Sequence, residues 1–153
     1  MSEFAITIRA ALPSDLETVV EYNRRLAWET ESKELSLPKL RAGVAAAQAD
    51  PQKARYFLAE VDGTVAGQLM LTREWSDWRN GDIWWIQSVY VASDFRRRGV
   101  FTALFRHVEQ LARSQPDVVG VRLYVEERNH AAQQVYAALG MKPAGYLVLE
   151  SLW

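Results

Sequence analysis

Two short segments of the chain have a composition that fits ligand binding and catalysis. The first is Val89-Tyr-Val-Ala-Ser-Asp-Phe-Arg-Arg-Arg-Gly-Val-Phe-Thr102. It reads as a strand end, a basic turn with one glycine, and an immediate helix start. Backbone N–H groups at a helix start lack internal partners and carry a partial positive charge. Such a start cradles a phosphate, and Gly99 lets the anion come close to the main chain. The adjacent Arg96, Arg97 and Arg98 suit a ligand with several phosphates, although a plain strand-to-helix turn with incidental arginines would read the same way. The second segment, Asn129-His-Ala-Ala-Gln-Gln-Val-Tyr136-Ala-Ala-Leu-Gly140-Met141, follows the next strand. Asn129 and Tyr136 lie two helical turns apart on one face. An amide at a helix start and a phenol further along can address two points on one extended ligand. Either alone is more often a cap or a packing residue; both, one strand after a phosphate-type turn, form a far more specific pattern.

Periodicity predicts the strands and helices around these two segments. Ile6–Arg9 alternates as a short opening strand. Ser14 with Glu17 has the offset of a capping box, for a helix running towards Trp28. Ser36 and Pro38 open a second helix through Leu40, Val44 and Ala47, ending near Asp50-Pro51. Tyr56–Val61 and Thr64–Leu71 are β-prone runs joined by Asp62-Gly63, a strong hairpin signal. Glu74–Gly81 reads as a loop rich in aromatic and polar groups, and Ile83–Val91 as a third long strand. Helical spacing marks Gly99–Arg113, through Phe101, Leu104, Phe105, Val108 and Leu111. Val121–Val125 reads as a strand, Asn129–Leu139 as a helix that Asn129 caps and Gly140 ends, and Tyr146–Leu149 as a final strand. The order β-α-α-β-β-β-α-β-α-β predicts an α/β fold, a mixed and mostly antiparallel sheet flanked by helices, in one domain over residues 1–153.

In these residues the chain resembles the GNAT superfamily of acetyl-CoA-dependent N-acetyltransferases. That family's phosphate-loop pattern is Arg/Gln-x-x-Gly-x-Gly/Ala after a strand. Arg96-Arg-Arg-Gly99-Val-Phe101 meets it except at the last position, where Phe101 departs. The later pattern Asn-x-x-Ala-x-x-x-Tyr-x-x-x-Gly plus an apolar residue is met at Asn129, Ala132, Tyr136, Gly140 and Met141. The resemblance implies that Val89, Tyr90 and Val91 pair through their main chain with the pantetheine arm of acetyl-CoA. It implies that Arg97, Arg98, Gly99, Val100, Phe101 and Thr102, with Arg96 in the same motif, meet the phosphates. Asn129, beside Ala132, would hydrogen-bond the pantetheine arm, and Tyr136 would protonate the leaving thiolate. A backbone N–H near Val89 would steady the oxyanion. With no cysteine present, the amine would attack the thioester directly, and a phenol of reference pKa about 10 is a suitable donor to a thiolate of similar basicity.

The acceptor is less legible. A loose similarity to small-polyamine and diamine acetyltransferases meets Gln87 and Ser88 where those enzymes carry acids mid-strand. Asp82 at the strand's start reads as a turn residue, and His107 and His130 as helix-surface residues. Trp28, Glu29, Glu31 and Glu34 on the first helices, with Trp75, Asp77 and Trp78 before the central strand, are the candidate acceptor contacts together with Gln87; acids beside indoles suit a cationic amine. Zero cysteines exclude disulfides and thiolate metal sites, and no metal is expected. The net charge of −1 argues against broad attraction to nucleic acid or membrane. No stretch approaches the ~18 apolar residues of a membrane span, and the N-terminus lacks a secretory pattern, so a cytoplasmic protein is expected. Apolar residues from Tyr146 to Trp153 point to a homodimer. The competing reading is a coenzyme A-binding protein of the same fold with a regulatory or non-catalytic subunit role; a nucleotide enzyme of another fold is disfavoured because no Gly-Lys-Ser/Thr follows the glycine.

Overall fold

The structure of the protein, a computed structural model, describes residues 5–153; residues 1–4, on which the reading of the N-terminus and the start of the predicted domain partly rest, lie outside the described residues. Two compact units follow in sequence, the first ending at Leu123 and the second running Tyr124–Trp153.

The first unit contains β1 (Ile6–Ala10), α1 (Leu16–Glu31), α2 (Leu37–Ala49), β2 (Arg55–Val61), β3 (Thr64–Ser76), β4 (Gly81–Val91), α3 (Val100–Arg113) and β5 (Val118–Leu123). The sheet order is β1-β2-β3-β4-β5. Neighbours are antiparallel as far as β4, and β5 joins β4 in parallel. A parallel pair needs a crossover, and α3 supplies it. The mixed, mostly antiparallel sheet predicted above is therefore present.

Both faces of the sheet are covered, which explains why β2 is a continuous apolar run and not an alternating one. Successive strand side chains point to opposite faces. Phe57 meets the ring of His107 on α3 at 5.5 Å. Its neighbours Tyr56 and Leu58 pack with Val19 and Val20 of α1 and Val44 of α2. On α3, Val100, Leu104, Phe105, Val108 and Ala112 are buried, the three-and-four spacing of a helix laid on a sheet. The Asp62-Gly63 hairpin forms as read, with φ of 51° and 80°, the left-handed pair of a type I′ turn.

Several elements differ from the sequence reading. Ser14 does not cap α1: Pro13–Asp15 is a turn of 3-10 helix. Asp15 accepts instead from the Leu12 amide at 2.6 Å and from the Arg9 guanidinium at 2.7 and 3.0 Å. Glu17 pairs with Arg41 of α2, so neither half of the capping box is available. Ser36 does cap α2, accepting from the Lys39 amide. The loop expected over Glu74–Gly81 shrinks to a turn, because β3 and β4 stay paired as far as Ser76 and Gly81. β5 begins three residues before the expected Val121 and ends at Leu123.

The second unit holds α4 (His130–Ala138) and a C-terminal segment with no helix or strand. Asn129 caps α4, its Oδ1 accepting from the Ala132 amide at 3.1 Å. Gly140, at φ 95°, turns the chain out of the helix as expected. The strand predicted over Tyr146–Leu149 is absent. A β-prone run becomes a strand only when another strand satisfies its backbone, and no described strand pairs with this one; Tyr146, Leu147, Val148 and Leu149 are all exposed.

Candidate active site

The central feature lies in the second half of β4. Gln68 of β3 is in register with Tyr90, and Met70 with Gln87. Two residues of β4, Ser88 and Val89, thus stand where β3 has only Leu69, which makes a β-bulge. Ser88 takes φ 50°, unusual for a residue other than glycine. On the other side, β5 pairs with β4 only over Asp82–Ile86. Gln87 to Val91 have no β5 partner, so this stretch presents main-chain groups along one edge. Gly67 fits the same place tightly: a Cβ there would lie 2.9 Å from the Tyr90 carbonyl oxygen and 3.1 Å from a Val100 methyl. Tyr90 itself is buried, its ring 5.0 Å from that of Tyr22, so its side chain packs and only its main chain can meet a ligand.

Beyond β4 a 3-10 turn (Ser93–Phe95) leads to Gly99, the N-cap of α3 at φ 80° with no side-chain capping bond. The first-turn amides of Val100, Phe101 and Thr102 therefore lack a cap, and a Cβ on Gly99 would meet nothing within 4 Å. A helix start of this kind fits an anion. Phe101 turns its ring onto Phe105, 6.2 Å between centroids, which leaves its departure from the small-residue pattern on the packed side. The three arginines differ. Arg96 donates through Nε to the Val91 carbonyl at 2.9 Å and through Nη2 to Glu29 at 3.0 and 3.2 Å, with its guanidinium over the Tyr90 ring. Arg96 and Glu29, read from the sequence as a phosphate contact and an acceptor contact, are thus brought to each other, tying the end of α1 to the end of β4. Arg98 lies over the Phe95 ring. Arg97 is exposed, in left-handed backbone at φ 62°.

A cleft of about 430 Å³ is lined by Asn23, Leu35, Ser36, Lys39, Leu40, Gly43, Val44, Tyr56 and Ser88, so it reaches the bulge. Asn23 is buried and donates to the Val19 carbonyl and to the Tyr56 hydroxyl; burial raises the Tyr56 phenol above its ordinary pKa. Trp28 lines a neighbouring cleft with Arg24, Lys33, Glu34, Leu35, Ser36 and Leu37. Gln87 donates to the Thr72 hydroxyl at 2.6 Å. Trp75 pairs in register with Asp82 at the far end of the β3–β4 hairpin, and Asp77 and Trp78 sit in its turn. From the Met70–Gln87 pair to the Trp75–Asp82 pair is five residues, roughly 17 Å of strand. The hairpin tip is therefore not brought together with Gln87, and Trp75, Asp77 and Trp78 line neither cleft. Sequence reasoning missed Asn23, Tyr56, Gly67 and Gln68; the available signals were one amide on the apolar face of α1 and one amide inside an apolar strand.

In the second unit, Asn129 at the start of α4 and Tyr136 two turns later keep the expected spacing. Burial raises the Tyr136 phenol above its usual value, so it stays protonated at neutral pH.

The profile of the acetyltransferase (GNAT) family matches residues 20–141. A possible acetyltransferase from Clostridium difficile 630 has a crystal structure with 42% sequence identity to this chain and a TM-score of 0.90, covering 97% of each chain. A predicted acetyltransferase from Clostridium acetobutylicum, solved with acetyl-CoA, is 16% identical at a TM-score of 0.77, over 95% of this chain and 96% of that one. A GCN5-related N-acetyltransferase from Ralstonia eutropha JMP134 is 20% identical at a TM-score of 0.78, over 96% and 99%. The last two share the fold. No curated protein sequence gives a significant match. The chain belongs to the GNAT acetyltransferase family. It is an acyltransferase, of a family that uses acetyl-CoA as its donor. Among the described residues no helix is long and apolar enough to cross a membrane.

Proposed function

We propose that this protein transfers the acetyl group of acetyl-CoA directly to a primary amine of a small molecule or peptide, its two units acting as one catalytic domain over residues 1–153. One observation carries the reading: the β4 edge without a β5 partner, Gln87 to Val91, runs within a few residues into an uncapped helix start at Gly99. Main-chain groups of Val89, Tyr90 and Val91 take the pantetheine arm, and the amides of Val100, Phe101 and Thr102, with Arg97 and Arg98, take the phosphates. Asn129 holds the arm through the part of its amide that does not cap α4. Tyr136 gives its proton to the departing sulfur. A thioester is already activated, so what remains is positioning, a neutral amine and that proton.

The acceptor enters by the cleft that ends at Ser88. Among the described residues Lys39 is the one charged residue lining it, which disfavours a polycation and supports an acceptor carrying a single amine. The test is acetyl-CoA consumption against a broad panel of mono-amines, di-amines, amino acids and peptides, with product masses recorded. Turnover of at least one amine, with N-acetyl product, is expected. Acetyl-CoA binding with no turnover on any member would favour the non-catalytic reading, which the absence of a carboxylate among the described residues lining the cleft would then explain. We further propose a cytoplasmic homodimer joined through the C-terminal segment, supported by the exposure of Leu147, Leu149, Leu152 and Trp153. Light scattering at micromolar concentration should give twice the chain mass of 17.4 kDa, and a monomer would refute it.

A further inference from the structure

We infer that Gln68 is a positioning residue for the transfer: it sets the Ser88–Val89 peptide so that the Val89 N–H is presented to the thioester carbonyl. The inference rests on the function proposed above. Gln68 is fully buried in β3, across from Tyr90. Its Nε2 donates to the Ser88 carbonyl oxygen at 3.0 Å. That carbonyl and the Val89 N–H belong to one peptide bond, and the chain has no cis peptides among its described residues. In a planar trans peptide the two groups point in opposite directions. Drawing the carbonyl towards Gln68 therefore turns the Val89 N–H away from it. Ser88 and Val89 have no register partner on β3 or β5, so the ladder does not fix this peptide, and a bulge peptide can otherwise rotate. Its conformation is also uncommon, with Ser88 at φ 50°; such backbone persists where its surroundings hold it.

Stability alone does not account for the residue. Gln68 sits among fully buried apolar neighbours in sequence and space, such as Ala66, Leu69 and Leu58. Its Oε1 is buried with no hydrogen-bond partner among the described residues, an unfavourable state that methionine or leucine would avoid. What the amide provides, and an apolar side chain cannot, is the donor to Ser88. A polar group kept where packing disfavours it is expected where function needs it.

The test uses acetyl-CoA labelled with ¹³C at the thioester carbonyl, bound to the whole protein, with wild type and Gln68→Met compared. Calorimetry should give dissociation constants within about threefold. Difference infrared should show the bound carbonyl stretch at lower frequency than in free acetyl-CoA in the wild type, and close to the free value in Gln68→Met. With any accepted amine, kcat should fall by roughly 10–100-fold while the KM for acetyl-CoA barely moves, somewhat less than deleting an oxyanion donor outright. If Gln68→Met is too unstable to assay, Gln68→Glu serves: burial favours its protonated form, which still donates, so the carbonyl shift should be present while the carboxyl's own infrared band shows it protonated and be lost as that band shows it ionise. An unshifted wild-type carbonyl, or the same shift in Gln68→Met as in wild type, or a shift in Gln68→Glu that persists once its carboxyl band shows it ionised, overturns the inference while leaving acetyl transfer standing. A wild type that does not bind acetyl-CoA overturns both.

Discussion

Replacing Gly99 with valine tests whether the start of α3 holds the pyrophosphate. The residue has φ 80°, and a Cβ added there would meet nothing within 4 Å. The variant's cost is conformational: an L-residue in left-handed backbone loses about 1–2 kcal/mol, and a β-branched one is at the upper end. The turn either keeps its shape at that cost or relaxes and moves the first-turn amides. At about 2–4 °C per kcal/mol for a chain of this size, the melting temperature should fall by roughly 2–8 °C. A hydrogen bond to a charged group contributes about 1.5–3 kcal/mol. Losing one such amide–phosphate contact weakens acetyl-CoA binding by roughly 10–100-fold, at 1.4 kcal/mol per tenfold. Calorimetry with acetyl-CoA and with acetyl-pantetheine, which lacks the pyrophosphate, separates the local effect from general damage. Affinity should fall for the first and hold for the second. An unchanged acetyl-CoA affinity in folded Gly99→Val, or equal losses for both ligands, would refute the placement.

Three other perturbations follow from the same geometry. Tyr136→Phe keeps the ring and deletes the proton donor, so binding should survive while kcat and kcat/KM fall together by roughly 10²–10⁴; because burial raises this phenol, the wild-type pH–rate profile should show no loss from it below about pH 10. The Arg9 guanidinium holds the Asp15 carboxyl below its ordinary value. Its stabilising share is therefore complete above about pH 4 and is lost as pH falls through the lower folded value, and Asp15→Asn should flatten that part of an acid-unfolding curve. Gly67→Ala places a methyl 2.9 Å from the Tyr90 carbonyl; calorimetric unfolding should show about 1–3 kcal/mol of overpacking, accompanied by weaker acetyl-CoA binding.

Elements governed by local chemistry were legible in the sequence. The hairpin at Asp62-Gly63, the Ser36 cap, the Asn129 cap and the Gly99 helix start each depend on a few consecutive residues. Features governed by distant pairing were not. Arg96 stands in a run of three similar arginines, and what separates it from Arg97 is its contacts in the fold, with Glu29, 67 residues earlier, and with Val91 and Tyr90. Ser14 has the composition of a cap, but Arg9 and the Leu12 amide engage Asp15 and set a tighter turn. Tyr146–Leu149 has strand composition, and composition cannot supply a partner edge. The β4 bulge depends on comparing two strands residue by residue, so the role of Gln68 is invisible until that register is known.

The candidate site arises from a mismatch in strand length. β4 has 11 residues and β5 has 6, and their parallel pairing uses only the first half of β4. Had β5 followed β4 to Val91, the ladder would satisfy the backbone of Gln87 to Val91 and leave nothing for a ligand arm. Had β3 and β4 stayed in plain register, Ser88 would share an ordinary ladder pair and its carbonyl would need no side-chain donor. The departure of β5 opens the edge, the bulge frees one peptide on it, and Gln68 fixes that peptide's direction. Gly67 then lets β3 lie close enough to Tyr90 and Val100 for the strand end and the helix start to adjoin. Each of these is an irregularity that a sheet optimised for stability would lack, and all bear on the Gln87–Val91 stretch of β4.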